Sequence, residues 1–189
     1  MFVSLVTAML LTTAPSPLDV VKTGSADVQK IASAKGATVE QLSKAVERFV
    51  DFGELSRRAL GDTWNKLTPA QRQDFSGTME GLLRASYAQR ALGQGKAQVR
   101  YGEESIQGND ARVATTVKIN RGERFPVDYK LYRTDDKSGW RIYDVVTEDV
   151  SLLESYQEEF RRVLATKGFD GLLATLKTKR AQIEKKIVP

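Results

Sequence analysis

The hydrophobic period of the chain changes twice, and this constrains the fold more than any other feature. From Asp19 to about Leu92 apolar residues recur at helical spacing, from about Lys96 to Ser151 they alternate, and after Ser151 helical spacing returns. Helices, then a run of strands, then helices again make a segregated α+β domain. The expectation is a four-stranded antiparallel meander sheet packed against N-terminal and C-terminal helices. The length of 189 residues suits one domain.

Local signals fix where these elements begin. Thr38-x-x-Gln41 and Thr68-Pro69-Ala70-Gln71 read as capping boxes, in which hydroxyl and amide side chains satisfy each other's exposed backbone donors. Asp51-x-x-Glu54 predicts a short helix ending near Leu60-Gly61. Gln107–Asp110, Asn120–Glu123 and Asp135–Gly139 are turn segments between four strand candidates, at a spacing that suits hairpins. Ser151-x-x-Glu154 opens the next helix, Gly168 stops it, and Asp170 starts the last one.

Composition closes off much chemistry. The chain has no cysteine, which excludes disulfides and thiolate sites, and no histidine, the most common general base and metal ligand. No cofactor or metal is expected. Net charge is +5, which favours anionic partners. The basic tail of Lys177, Lys179, Arg180, Lys185 and Lys186 carries no recognition motif and reads as a solvated helix face, so no nucleic-acid partner is expected.

Residues 1–17 carry no charge, and Phe2–Leu11 is dominated by apolar side chains. The run is shorter than the roughly 20 residues a membrane span requires, and it has the length of a signal-peptide core followed by small residues. The expectation is a cleaved signal peptide over 1–17, a single domain over 18–189, and export.

Helices folded over one face of an antiparallel sheet can enclose an apolar cavity. The candidate lining is Phe49, Phe52, Phe75, Leu82, Val113, Val117, Val127, Tyr129, Leu131, Tyr143 and Val145. Periodicity does not separate a lined cavity from a filled core, and a filled core is the commoner outcome. An alternative is an NTF2-like sheet-and-helix enzyme, with Asp128 or Asp144 and a neighbouring tyrosine as acid and base. Asp residues on adjacent strands more often face solvent or pair with cations such as Lys130, Arg133 and Arg141.

The run Gly139-Trp140-Arg141-Ile142-Tyr143-Asp144-Val145-Val146-Thr147-Glu148-Asp149-Val150-Ser151-Leu152 resembles the W-x-x-Y-D-x-x-x-E-G-V-S segment of the MlaC family. Lys167-Gly168-Phe169-Asp170-Gly171-Leu172 resembles that family's K-G-x-D-G-L break between its last helices. Leu60-Gly61-x-x-Trp64, Thr68–Arg72 and the strand Val127–Leu131 are also similar, so the likeness runs in order from about Val39 to Lys185. Asp149 stands where the family carries Gly. The resemblance implies a monomeric periplasmic phospholipid carrier, its sheet and helices packed around an apolar cavity that holds the lipid tails, with no catalytic residue. Its expected partners are phospholipid, an outer-membrane lipoprotein complex and an inner-membrane ABC transporter complex with an MCE-domain subunit.

Overall fold

The protein is represented by a computed structural model that describes residues 14–93, 97–119, 122–134 and 139–187. The apolar run Phe2–Leu11, the Asn120-Arg121 pair and residues 135–138 of the third turn lie outside the described residues.

Helix α1 spans Pro17–Ala32, with Ser16 and Asp19 forming a reciprocal capping box. Ser16 and Pro17, grouped with the leader on sequence grounds, therefore start the first helix. Helix α2 (Val39–Val46) opens on the expected Thr38–Gln41 box. Asp51 caps α3 (Phe52–Leu60), its side chain accepting from Glu54 N at 2.8 Å. After the single turn of α4 (Asp62–Asn65), α5 runs from Pro69 to Gly93 behind the Thr68–Gln71 box.

Strands β1 (Gln98–Gln107), β2 (Asp110–Lys118), β3 (Arg124–Arg133) and β4 (Trp140–Thr147) form the expected antiparallel meander. A two-residue strand β5 (Val150–Ser151) adds a fifth member beside β4. It is too short to leave a periodic signal. Glu148 and Asp149 both have positive φ, 50° and 64°, so β4 and β5 are joined by a two-residue hairpin turn. Asp accepts the left-handed conformation there that glycine would adopt without steric cost.

Helix α6 (Leu152–Ile187) breaks at Gly168, whose φ of 64° and ψ of −172° lie in a region essentially restricted to glycine. The chain folds back at that point, so that Lys179 of the second half reaches Glu159 of the first at 3.6 Å.

Two apolar clusters result. Helix α1 lies on one face of the sheet, where Val21 packs with Ala111, Val113, Leu131, Trp140 and Ile142. The other cluster joins α3, α5 and α6 through Leu55, Phe75, Met79, Leu82, Phe160, Leu172 and Leu176, and includes Tyr143. Strand β4 serves both. Being adjacent on a strand, Ile142 and Tyr143 point to opposite sides, Ile142 into the α1 cluster and Tyr143 into the other. A bulge follows: Leu131 faces Ile142 while Lys130 faces Asp144, leaving Tyr143 as the extra residue.

Candidate functional site

The outer edge of β4 is bridged at both ends. Ile142 N donates to Phe49 O at 2.8 Å and accepts through its carbonyl from Asp51 N at 2.7 Å. Farther along, Val146 and Thr147 pair with Ser151 and Val150. Beside Tyr143–Val145, between those bridges, lies a cavity of about 650 Å³. This falls within the roughly 300–1,000 Å³ typical of small-molecule sites.

Five helices and the sheet wall this space, with α1 contributing Val28. Helix α2 and the segment after it contribute Leu42, Val46, Phe49 and Val50, α3 contributes Phe52 and Leu55, and α5 contributes Leu83. Tyr129, Ile142, Tyr143 and Val145 form the sheet side, and Leu152 and Tyr156 of α6 close it. Leu42, Leu55, Leu83 and Ile142 are each at most 2% exposed and mark the floor. Tyr87 at 44% and Val150 at 62% mark the mouth, together with the half-exposed Arg84, Glu159 and Lys179. The lining is thus apolar inside and charged at its rim. Gly24 of α1 lets the chain close here, because a Cβ on it would fall 2.9 Å from the Phe49 ring.

The tyrosines add no charge to the interior. Burial raises the Tyr129 hydroxyl above its usual range and does the same for Tyr143. Both are neutral phenols, apolar bodies with a donor at the tip.

Of the side chains expected at a cavity, Phe49, Phe52, Tyr129, Tyr143 and Val145 line it. The others do not. Phe75 and Leu82 lie on the face of α5 that meets α6, with the Phe75 ring 5.7 Å from Phe160, while the adjacent Leu83 faces the cavity. Val113 and Leu131 lie under α1, which fills that part of the sheet face with packed side chains. Val127 is buried between them and the far end of the sheet, and Val117 is half-buried opposite Val99 and Phe125. Leu42 and Val46 were legible as part of a helical stripe, but nothing local marked them as facing empty space.

Asp144 touches this cavity yet is fully engaged. Its Oδ2 accepts from Ser151 Oγ at 2.7 Å and lies 3.1 Å from Lys130 Nζ, and its Oδ1 accepts from Leu153 N at 2.9 Å. Asp128 accepts from Arg112 Nε at 3.0 Å on the side of β3 shared with Lys130. Neither carboxylate is presented to the cavity as an available base. None of the described helices is long and apolar enough to cross a membrane, and no group of described acidic residues could hold a metal.

Comparison with known proteins agrees with this architecture. The chain is 24% identical over 137 residues to the intermembrane phospholipid transport system binding protein MlaC of Haemophilus influenzae. That alignment covers 71% of this chain and 64% of the relative's length. A phospholipid-binding protein from Ralstonia solanacearum, solved in complex with a phospholipid, superposes with a TM-score of 0.81 at 25% identity. The match covers 90% of this chain and 99% of that one. A family model described as MlaC protein matches residues 18–178, from the first turn of α1 into the second half of α6. With helices and sheet both inside that match, the chain belongs to the MlaC family.

Proposed function

We propose that the protein is a periplasmic phospholipid carrier that holds acyl chains in the cavity beside β4 and is not an enzyme. The observation that carries this reading is the cavity itself, with a largely apolar interior in which the one carboxylate, Asp144, is engaged by Ser151, Leu153 and Lys130, and with charged side chains at its mouth. At about 30 Å³ per methylene-sized group, 650 Å³ accommodates roughly twenty such groups, the scale of one acyl chain and its attachment. Burying a methylene stabilises by about 0.8 kcal/mol, so a 16-carbon chain represents on the order of 12 kcal/mol. An enclosed site can match that, and transfer to or from a similarly apolar environment is then close to isoenergetic. The full engagement of Asp144 supports a carrier over acid–base chemistry.

In this reading the uncharged N-terminal segment directs export and is removed ahead of the Ser16 cap of α1. Loaded protein then shuttles between an outer-membrane lipoprotein complex and an inner-membrane ABC transporter complex, with net positive charge assisting contact with anionic surfaces. Native mass spectrometry of protein isolated from the periplasm without detergent tests the reading. Phospholipid adducts on a chain lacking its leader are expected. Bare protein that takes up no lipid from vesicles would refute the carrier, and a retained Met1 would refute export.

A further inference from the structure

The cavity mouth carries opposite charges in an unusual arrangement for a site that has only to hold hydrocarbon. Arg84, on the cavity wall, pairs with both Glu47 at the end of α2 and Glu80 one turn earlier on α5. All three side chains are about one third exposed, at 39%, 32% and 35%. Arg84 Nε is buried and donates to no acceptor among the described residues. On the α6 side of the rim, Lys179 lies 3.6 Å from Glu159, and both line the cavity. The contacts Asp74–Lys177 and Gly77–Arg180 set α5 and the second half of α6 side by side, running in the same direction. Arg84, Glu159 and Lys179 all line the same cavity, and Glu47 and Glu80 flank it through Arg84.

Resting on the carrier reading, we propose that this rim recognises a zwitterionic headgroup, a phosphate diester bearing a primary ammonium. The phosphate takes Arg84 and Lys179, and the ammonium takes the carboxylates they release. Partly exposed ions still lose some free energy when a partner is removed and not replaced. Arg84, Glu47 and Glu80 together carry one more negative than positive charge, so a headgroup carrying both signs exchanges partners with them without adding to that excess, and its ammonium brings the carboxylates a second cation. It also supplies Arg84 Nε with an acceptor, a charge-assisted bond of the stronger kind. A headgroup with only a negative charge strips Arg84 from Glu47 and Glu80 and leaves those carboxylates without a cation.

The test presents the mature protein with vesicles containing equal amounts of chain-matched phosphatidylethanolamine and phosphatidylglycerol, and reads the two complexes by native mass spectrometry. The wild type should favour phosphatidylethanolamine by about fivefold, the effect of one partly exposed ion pair. Glu47→Gln with Glu80→Gln should bring the ratio to unity or reverse it. At the more exposed end of the rim, where folding is not at stake, Glu159→Gln should lower the ratio and Lys179→Gln should raise it. A wild-type ratio of one, or a ratio unmoved by both Glu159→Gln and Lys179→Gln, overturns the headgroup assignment. Uptake of both lipids without preference leaves the carrier reading standing, whereas no uptake of either lipid sinks both.

Discussion

Ser151 Oγ donates to Asp144 Oδ2 at 2.7 Å while accepting from Glu154 N at 3.0 Å, so one hydroxyl both caps α6 and ties it to β4. Asp144 also receives Leu153 N and faces Lys130, which makes its carboxylate the junction between the sheet and the C-terminal helices. Burial opposes the charge on Lys130, but its hydrogen bond and charge interaction with Asp144 outweigh this and hold its ammonium above the usual lysine range.

Asp144→Asn keeps the shape but removes the charge that Lys130 and Ser151 answer. It should lower unfolding stability by about 3 kcal/mol, as expected when one partner of a buried pair is lost. Lipid bound per folded molecule should be unchanged. Urea unfolding followed by lipid extraction checks both halves. A stable variant with altered lipid handling would reassign Asp144 to the site.

Gly168→Ala isolates the cost of the break in α6. A Cβ at this position meets nothing within 4 Å, so the penalty is one of backbone conformation alone. A loss of about 1–3 kcal/mol is expected, visible as a lower melting temperature by circular dichroism. An unchanged melt would mean that the turn tolerates side chains.

Asp149→Gly tests the hairpin between β4 and β5. Glycine removes the steric cost of φ at 64° but adds freedom to the unfolded chain. The net effect should be a gain of roughly 0.5 kcal/mol, read from chemical denaturation. A clear loss would show that the Asp149 side chain stabilises the turn.

Glu54 should make stability sensitive to acid. Burial raises its pKa, but hydrogen bonds from Arg57 and Arg58 outweigh this and hold the carboxyl below its ordinary value of 4.5. A depressed folded-state value means the contribution is complete above the unfolded value and is lost as pH falls through the folded one. Melting temperatures should therefore decline below about pH 4.5, and Glu54→Gln should make that decline shallower. Parallel declines in both proteins would remove Glu54 from the account.

These elements differ in how far they could be read from the sequence. The boxes at Thr38–Gln41, Thr68–Gln71 and Ser151–Glu154 and the break at Gly168 depend on neighbours within four residues, and each lies where its residues place it. The alternation of Ala111, Val113 and Thr115 identified the inner face of β2 for the same reason. The cavity depends on contacts remote in sequence. Val113, Leu131 and Tyr129 share a face, but α1 covers the first two with Val21, and only Tyr129 reaches the empty space. The bulge at Tyr143, which shifts the register of Asp144 and Val145 against β3, leaves no periodic mark. Leu82 and Leu83 carry the same side chain on one helix, yet only Leu83 lines the cavity.

The central claim, that acyl chains occupy the space beside β4, is tested most directly by filling that space. Val145 lines the cavity and is only partly buried, so Val145→Trp should occupy it with little strain. Val117→Trp places the same ring at a half-buried site on β2 outside the cavity. The measurement is the lipid-bound fraction of each folded variant by native mass spectrometry after isolation without detergent. The account predicts that Val145→Trp is folded and lacks phospholipid, while Val117→Trp retains it as the wild type does. Equal lipid loads in the two variants would contradict it.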